Sequence, residues 1–160
     1  MIFNVTPMVS PNKIDCAPTC LAMLLNYYGE TVTVRDLYEE CNLTISGCTG
    51  ADIARAGRAH GLDMKGYRLD AADVYKSDRP GIIHWQHRHF CVYCGVDTDG
   101  RVLIVNPDRG KFHVTKTMFE AMFTGVALFN GEPEDIPEEA PEMTPEETAE
   151  YILDILRGVR

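Results

Sequence analysis

The sequence predicts an α+β domain in which N-terminal helices pack on a mainly antiparallel sheet. Two observations predict this class. Apolar residues recur at helical spacing in the first third of the chain, and alternating or continuous apolar runs fill the middle. With 160 residues, 45% of them hydrophobic, the chain suits one domain that buries roughly two thirds of its unfolded surface. Folding therefore requires neither a metal nor a disulfide.

Three helices are expected in the N-terminal part. The first begins after Asp15, a candidate N-cap, and ends at Gly29. A second, short helix is predicted in the stretch TVRDLYEECNL. The third lies between Thr49, its cap, and Gly61.

The strands follow these helices. Period-2 or continuous apolar patterns predict strands in MKGYRL, GIIHWQ, HFCVYCGVD, RVLIVNP and, last, GVALFN. Short helical stretches separate some of them, in DAADVYKSD and TKTMFEAMFTG. Asp99-Gly100 is a tight-turn signal, so HFCVYCGVD and RVLIVNP should form a hairpin.

The chain divides into three predicted parts. A domain covers residues 1–130, an acidic linker rich in Pro and Glu covers 131–144, and an amphipathic helix covers 145–160. Thr144 and Pro145 are typical of a helix start. This helix would either dock on its own domain, bind a partner or bind a second copy of the chain.

Composition excludes several classes of function. The formal net charge of −9 argues against nonspecific nucleic-acid binding. No apolar run reaches the about 18 residues that a membrane span needs, and no secretory signal precedes the domain. The six cysteines are therefore expected to be reduced thiols in the cytoplasm. No ATPase motif is present, so the chain is not expected to be a complete exporter.

Cysteine and histidine spacings leave a zinc site open as an alternative. Three pairs could each supply half of such a site: Cys16-x-x-x-Cys20, Cys91-x-x-Cys94 and His87-x-His89. However, Cys91 and Cys94 lie in a predicted strand, where residues three apart point to opposite faces. The cysteines other than Cys16 are interpreted most simply as small buried or half-buried residues.

Cys16 differs because it opens the first predicted helix. Unpaired backbone N–H groups and the helix dipole at that position favour a thiolate, which a cysteine nucleophile needs. A nucleophilic cysteine also needs a histidine base and a group that orients the histidine. In the predicted hairpin, His89 falls opposite the region from Asn106 to Asp108. A Cys–His–Asn site is therefore one interpretation, beside a histidine that is merely solvated at a strand end.

The stretch DCAPTCLAMLLNYYG resembles the nucleophile motif of the bacteriocin-processing cysteine peptidases. Those are papain-like domains at the front of some ABC exporters, which cleave leader peptides after a double glycine. The similarity continues through TVRDLYEEC, GCTGADIARAGRAHGLDMKGYRL, GIIHWQHRHFCVYCGV and VLIVNPDRG. It covers about residues 5–130 and implies a papain-like cysteine peptidase fold.

The resemblance also implies roles for individual residues. Cys16 matches the nucleophile and His89 the general base. Asn106 stands where the family usually has Asp, and Asp108 is the fallback orienting residue. Trp85 would shield the His–Asn contact or line the substrate cleft, or it is simply a core aromatic on its strand. No cofactor and no metal are implied.

The sequence departs from the family before the nucleophile. The family has a Gln six residues ahead of the cysteine, and its amide helps bind the oxyanion, but Ser10 occupies that position here. Asn12 is the other candidate that could supply an amide. Loss of one oxyanion donor typically costs about 100- to 1000-fold in rate.

These residues predict a cysteine peptidase whose substrate is a peptide or protein, with a Gly-Gly leader peptide as the preference that the family implies. A catalytically weak or inactive domain that binds a leader or partner peptide is the alternative, and another acyl transfer on the same residues is a second. A separate transporter, or self-association through the C-terminal helix, is the expected partnership.

Overall fold

The fold is taken from a computed structural model, which describes residues 1–86 and 89–133 and eight single positions between 142 and 157. The elements in chain order are α1 (Cys16–Tyr27), a 3₁₀ helix (Arg35–Leu37), α2 (Gly50–Ala59), β1 (Met64–Arg68), α3 (Ala71–Tyr75), β2 (Gly81–Trp85), β3 (His89–Val96), β4 (Val102–Asn106), β5 (Gly110–Val114), α4 (Lys116–Met122), β6 (Phe123–Asn130) and β7 (Glu142–Met143).

The strands form one sheet in the order β5-β4-β3-β2-β6-β1-β7. Every neighbouring pair is antiparallel. The predicted hairpin forms, with Val92 of β3 opposite Val105 of β4. The predicted class, helices on a mainly antiparallel sheet, is therefore confirmed.

Each face of the sheet carries its own apolar cluster. On one face, Phe90, Val92 and Cys94 of β3 pack with the buried side of α1. On the other face, Cys91 packs in a cluster that includes Phe119 of α4. Cys91 and Cys94 thus lie on opposite faces, as predicted, so they cannot ligate one metal ion together. His87, part of the other zinc spacing, lies outside the described residues.

The ends of α1 and α2 follow from local sequence. Gly29 adopts a φ of +97° just after α1, a left-handed conformation that glycine tolerates best. The side chain of Thr49 accepts a hydrogen bond from the backbone N–H of Asp52 at 3.1 Å, and Oδ2 of Asp52 accepts one from the N–H of Thr49 at 2.9 Å. This reciprocal capping confirms the predicted start of α2.

Two local features differ from what the sequence indicated. The short helix predicted in TVRDLYEECNL forms, but only as the 3₁₀ helix Arg35–Leu37 followed by turns. Strand β5 was not predicted, because its half-buried residues alternate with the exposed Lys111 and His113 over only five positions. That strand forms one edge of the sheet, and its Phe112 and Val114 line a cavity next to His89.

The C-terminal parts remain predictions. Glu142 and Met143, within the predicted linker 131–144, pair with β1. Most of that linker, and most of the predicted helix 145–160, lie outside the described residues. Among the described residues, no helix has the length and apolar character needed to cross a membrane.

Candidate active site

Cys16 is the first residue of α1 and is half-buried against β3. The backbone N–H groups of Phe90 and Ala17 lie close enough to its sulfur to stabilise a thiolate and lower the pKa of the thiol. Phe90 directly follows His89 in β3. The packing of α1 on this strand therefore brings the start of the helix to the end of β3 that carries the histidine.

His89 and Asn106 form a direct pair across the hairpin. The ring Nε2 of His89 lies 2.8 Å from Oδ1 of Asn106. The same Oδ1 accepts a hydrogen bond from the backbone N–H of Asp108 at 2.9 Å. Because a backbone N–H can only donate, the atom between these two partners must be the amide oxygen. Asn106 is buried, with 8% of its surface exposed, which holds this geometry in place.

The pair fixes the tautomer of His89. Since Oδ1 can only accept, Nε2 must carry a hydrogen and donate it. In the neutral ring, Nδ1 is then the nitrogen with a lone pair that can take a proton. A carboxylate oxygen of Asp108 lies 3.7 Å from Nε2, at the edge of ion-pair range, so Asp108 is a secondary partner of the ring.

The expectation of a lowered thiol pKa at Cys16 is wrong for this structure. Burial raises the pKa of the Cys16 thiol to about 11, and the nearby charge of Asp108 raises it further, against the lowering effect of the Phe90 and Ala17 N–H groups. Desolvation of the sulfur thus outweighs the helix N-terminus. The thiol is protonated at neutral pH, so a base must remove its proton during any reaction.

A cavity of about 550 Å³ adjoins this pair on the α4 side of the sheet. Its lining combines apolar and polar side chains. The apolar lining consists of Trp85, Phe112, Val114, Met118 and Met122. The polar lining consists of Lys13, Gln86, His89, Asn106, Asp108 and Arg109.

Trp85 lines the cavity and also belongs to the apolar cluster on that face of the sheet. Its ring packs against Phe119 with the centroids 5.5 Å apart. Only 4% of its surface is exposed. Trp85 pairs with His89 in the β2–β3 register, so the indole lies beside the histidine on the sheet.

Ser10 lies in a second cavity, of about 570 Å³, that Lys13 and Asp108 also line. Thr19 donates its hydroxyl hydrogen to the carbonyl oxygen of Asp15 at 2.7 Å. The contact of 3.3 Å between the Ser10 and Thr19 hydroxyls must therefore be donated by Ser10. The Ser10 hydroxyl is already engaged on α1.

Asn12 lines the same second cavity, and its amide is engaged as well. Its Nδ2 donates to the hydroxyl of Tyr38 at 3.2 Å. The structure thus brings His89, Asn106, Asp108 and Trp85 to one cavity. It leaves both oxyanion candidates bonded to other groups.

Several residues of the site were missed from sequence. Gln86 adopts a left-handed backbone with a φ of +53°, and its N–H donates to the carbonyl of Met122 at 2.9 Å. No sequence signal marks this residue. Phe112 and Val114 were missed together with β5, although their period-2 spacing was a usable signal. Lys13 lines both cavities, but nothing in the sequence distinguishes it from an ordinary surface lysine.

The family model of the "Peptidase C39 family" matches residues 6–135. The chain belongs to this family. The resemblance to the bacteriocin-processing cysteine peptidases is therefore confirmed, and with it the assignment of the chain to the cysteine peptidases.

Individual relatives agree with this assignment. The colicin V secretion/processing ATP-binding protein CvaB of Escherichia coli is 29% identical over 114 residues, which are 71% of this chain and 16% of that protein. The chain thus spans about a sixth of the length of such curated relatives.

Solved structures support the fold. One is a double glycine motif protease from an AMS/PCAT transporter in complex with the leader peptide. It matches with a TM-score of 0.77 and 29% identity, covering 80% of this chain and 91% of that one. The peptidase domain of Streptococcus ComA, a bi-functional ABC transporter, matches with a TM-score of 0.70 and 23% identity, over 79% of this chain and 96% of that one. The papain-like fold is confirmed.

Proposed function

We propose that the protein hydrolyses peptide bonds with Cys16 as nucleophile, His89 as general base and Asn106 as the residue that orients the imidazole. The observation that carries this proposal is the shared Oδ1 of Asn106, which accepts from both Nε2 of His89 and the N–H of Asp108. This arrangement leaves Nδ1 as the basic nitrogen of His89. The next residue of β3, Phe90, contacts the Cys16 thiol through its backbone N–H.

The reaction begins with proton transfer. Nδ1 of His89 takes the proton from the Cys16 thiol as the sulfur attacks the substrate carbonyl. The thiolate gains stabilisation from the N–H groups of Ala17 and Phe90. Coupling the two events suits a thiol whose pKa burial holds near 11, because little thiolate exists beforehand.

The remaining steps return the enzyme to its starting state. The backbone N–H of Cys16, unpaired at the start of α1, donates to the oxyanion of the tetrahedral intermediate. His89 then gives its proton to the leaving amine, and a thioester remains on Cys16. Water, deprotonated by His89, attacks the thioester and releases the acid. Asn106 keeps the ring in one tautomer throughout.

A second oxyanion donor has to come from the loop before α1. Ser10 and Asn12 are the candidates: the hydroxyl hydrogen of Ser10 is donated to Thr19, and one of the two hydrogens on the Asn12 amide is donated to Tyr38. Turnover is therefore expected to be slow unless substrate binding rearranges this loop.

The proposed substrate class follows from the cavity beside His89 and from the relatives. A cavity that combines apolar side chains with His89 and Asn106 fits a peptide with apolar side chains near the scissile bond, although Cys16 is not among the residues that line it. Relatives are described as secretion/processing proteins and as a double glycine motif protease. We therefore infer a leader peptide with a Gly-Gly cleavage site, supplied in the cytoplasm.

The segment after the peptidase domain has a proposed role of its own. The linker 131–144 and the helix 145–160 would connect the domain to a separate transporter or to a second copy of the chain. This proposal rests on the apolar stripe and the cap residues of that helix in the sequence.

The alternative is a domain that binds a leader peptide and no longer cuts it. Two observations favour it: the hydroxyl of Ser10 and the amide of Asn12 are both engaged elsewhere, and the pKa of Cys16 is raised by burial. The retained pair of His89 and Asn106 argues for activity.

Hydrolysis of a panel of peptides with and without Gly-Gly separates the two readings. The wild-type chain is expected to cleave at least one Gly-Gly peptide. Cys16→Ala should lose at least about 10⁴-fold of that rate, as is typical when a nucleophile is removed. Cys48→Ala, which changes the other half-buried cysteine, is the matched control and should retain activity. Tight binding of a peptide by the wild-type chain with no cleavage would favour the binding domain instead.

A further inference from the structure

The carboxylate of Asp15 accepts hydrogen bonds from groups outside the helix that it caps. Asp15 is the N-cap of the 12-residue helix α1 and is fully buried, yet its side chain makes no hydrogen bond to the helix. An N-cap carboxylate normally accepts from the second or third N–H of its helix. The third position here is Pro18, which has no N–H. Ala17 is the only one of these two positions with an N–H to offer.

Two groups outside the helix hold the carboxylate instead. The hydroxyl of Tyr38 donates to Oδ2 of Asp15 at 2.5 Å, and the backbone N–H of Asn12 donates to Oδ1 at 3.3 Å. The Asn12 amide in turn donates to the Tyr38 oxygen at 3.2 Å. Tyr38 ends the 3₁₀ segment, so this contact joins a distant part of the chain to the residue just before Cys16.

The position of the Asp15 carboxylate matters because the N–H groups at the start of α1 have roles in the proposed reaction. The N–H of Ala17 is one of the groups that stabilise the Cys16 thiolate. The N–H of Cys16 is the oxyanion donor in the proposed mechanism. A carboxylate placed on the helix start would be attracted to the dipole and would compete with both negative charges.

We propose that Tyr38 is a positioning residue that holds the Asp15 carboxylate away from the start of α1, and so keeps the N–H groups of Cys16 and Ala17 available for the thiolate and the oxyanion. Its effect on turnover rests on the proposed peptidase function. Its effect on the thiol does not, because the reactivity of Cys16 can be measured without a substrate.

Other titratable groups near the Cys16 sulfur do not take part in the contact between Tyr38 and Asp15. Asp108, on the turn after β4, and Cys48, before α2, both raise the pKa of Cys16. Cys20 on α1 and Cys91 on β3 also couple to Cys16 electrostatically, and burial raises the pKa of each of their thiols. All of these remain in the variants below, so a change in Cys16 reactivity reports on Asp15.

The test measures alkylation of Cys16 by iodoacetamide as a function of pH, with the modified residue identified by peptide mapping. In Tyr38→Phe the carboxylate loses its hydroxyl donor and turns to the helix start. We expect the apparent pKa of Cys16 to rise by about one unit, which slows alkylation at pH 8 about tenfold. In Tyr38→Phe/Asp15→Asn the neutral amide brings no negative charge to the helix start, and the rate should return to within about threefold of wild type.

Controls separate positioning from general damage. Tyr27→Phe removes a hydroxyl at the far end of α1 and should leave alkylation unchanged. Asp15→Asn alone should not slow alkylation, which keeps the proposal testable even if Tyr38→Phe folds poorly. In a cleavable Gly-Gly peptide assay, Tyr38→Phe should lower kcat about tenfold at unchanged KM, and the double variant should recover it.

Clear outcomes would overturn the proposal. One is a folded Tyr38→Phe that alkylates as fast as wild type. Another is a double variant that stays as slow as Tyr38→Phe, and a third is an Asp15→Asn variant that is itself slowed. If the wild-type chain cleaves no peptide but the alkylation series behaves as expected, the peptidase function fails while the role of Tyr38 stands.

Discussion

The two sides of the candidate site are organised differently. On the side of β3 and β4, His89 and Asn106 are paired at 2.8 Å and fixed by a backbone N–H. On the side of the loop before α1, Ser10 and Asn12 are bonded to Thr19 and Tyr38. The proposed base, His89, is thus held in one tautomer, whereas both candidates for the second oxyanion donor are bonded to other groups.

This difference has a physical origin. The base side is built from the β3–β4 hairpin, which pairs Val92 with Val105 and brings Nε2 of His89 within hydrogen-bond distance of Asn106. The loop side has no regular structure between residues 3 and 14, and its contacts come from distant parts of the chain, including Tyr38 and Pro107. The pair of His89 and Asn106 is therefore preorganised, whereas the side chains of Ser10 and Asn12 are not oriented for a role in the site.

The largest expected effect breaks the base side. Asn106→Leu removes the shared acceptor, so the imidazole loses its fixed tautomer, and kcat should fall about a hundredfold or more. Asn106→Asp is the matched control: a carboxylate oxygen can accept from both Nε2 and the N–H of Asp108, so the loss should stay within about tenfold. Steady-state kinetics on a cleavable peptide measures both. Equal losses in the two variants would show that Asn106 acts by packing and not by orienting the ring.

The next largest effect is expected in the loop before α1, where a substitution can restore the missing oxyanion donor and raise kcat. Ser10→Gln supplies the amide that the family has at this position. If the missing donor limits turnover, kcat should rise toward the roughly 100-fold that one oxyanion donor contributes. Ser10→Asn, whose amide is one methylene shorter, serves as the control and should gain less. An unchanged kcat in Ser10→Gln would mean that the loop already supplies a donor once the substrate is bound.

The smallest expected effect is on thermal stability. It concerns His60, which contacts Glu40 in the segment that carries Tyr38. The ring of His60 bonds to Glu30 through Nδ1 at 2.6 Å and to Glu40 through Nε2. The hydrogen bond that His60 donates to Glu30, and the one that it donates to Glu40, raise the pKa of His60. Two carboxylates on the two ring nitrogens require the protonated ring, since each nitrogen must donate.

The sign of the pH dependence follows from this raised pKa. The pair of contacts stabilises the fold fully below the ordinary histidine pKa and loses its contribution as pH rises through the raised value. His60→Gln should therefore lower Tm by roughly 2–4 °C at pH 6, which corresponds to about 1 kcal/mol. Thermal melts should show a smaller difference at pH 9. A difference that does not shrink with pH would rule out a contribution from the charged ring.

Sequence reasoning succeeded where short-range patterns decide the structure. Asp99-Gly100 fixed the hairpin, and the hairpin brought His89 to Asn106, so this contact was predictable from about twenty residues of sequence. The helix start at Cys16 was predictable from its cap and period for the same reason. Their catalytic roles stay proposals.

Sequence reasoning failed where burial and distant contacts decide. Asp15 was correctly placed as the N-cap, but its carboxylate bonds to Tyr38 and Asn12, a choice that depends on Pro18 and on a segment over twenty residues away. The raised pKa of Cys16 likewise depends on desolvation by packed elements, and no local pattern reports it.

The most direct test of the account is covalent trapping with a peptide that ends in a Gly-Gly chloromethyl ketone. This reagent needs both recognition of the peptide and a reactive thiolate, and its adduct survives peptide mapping. The account predicts modification of Cys16 alone, at a rate that falls at least about a hundredfold in His89→Ala. Modification of another cysteine while Cys16 stays unlabelled, or an equal rate in His89→Ala, would contradict it.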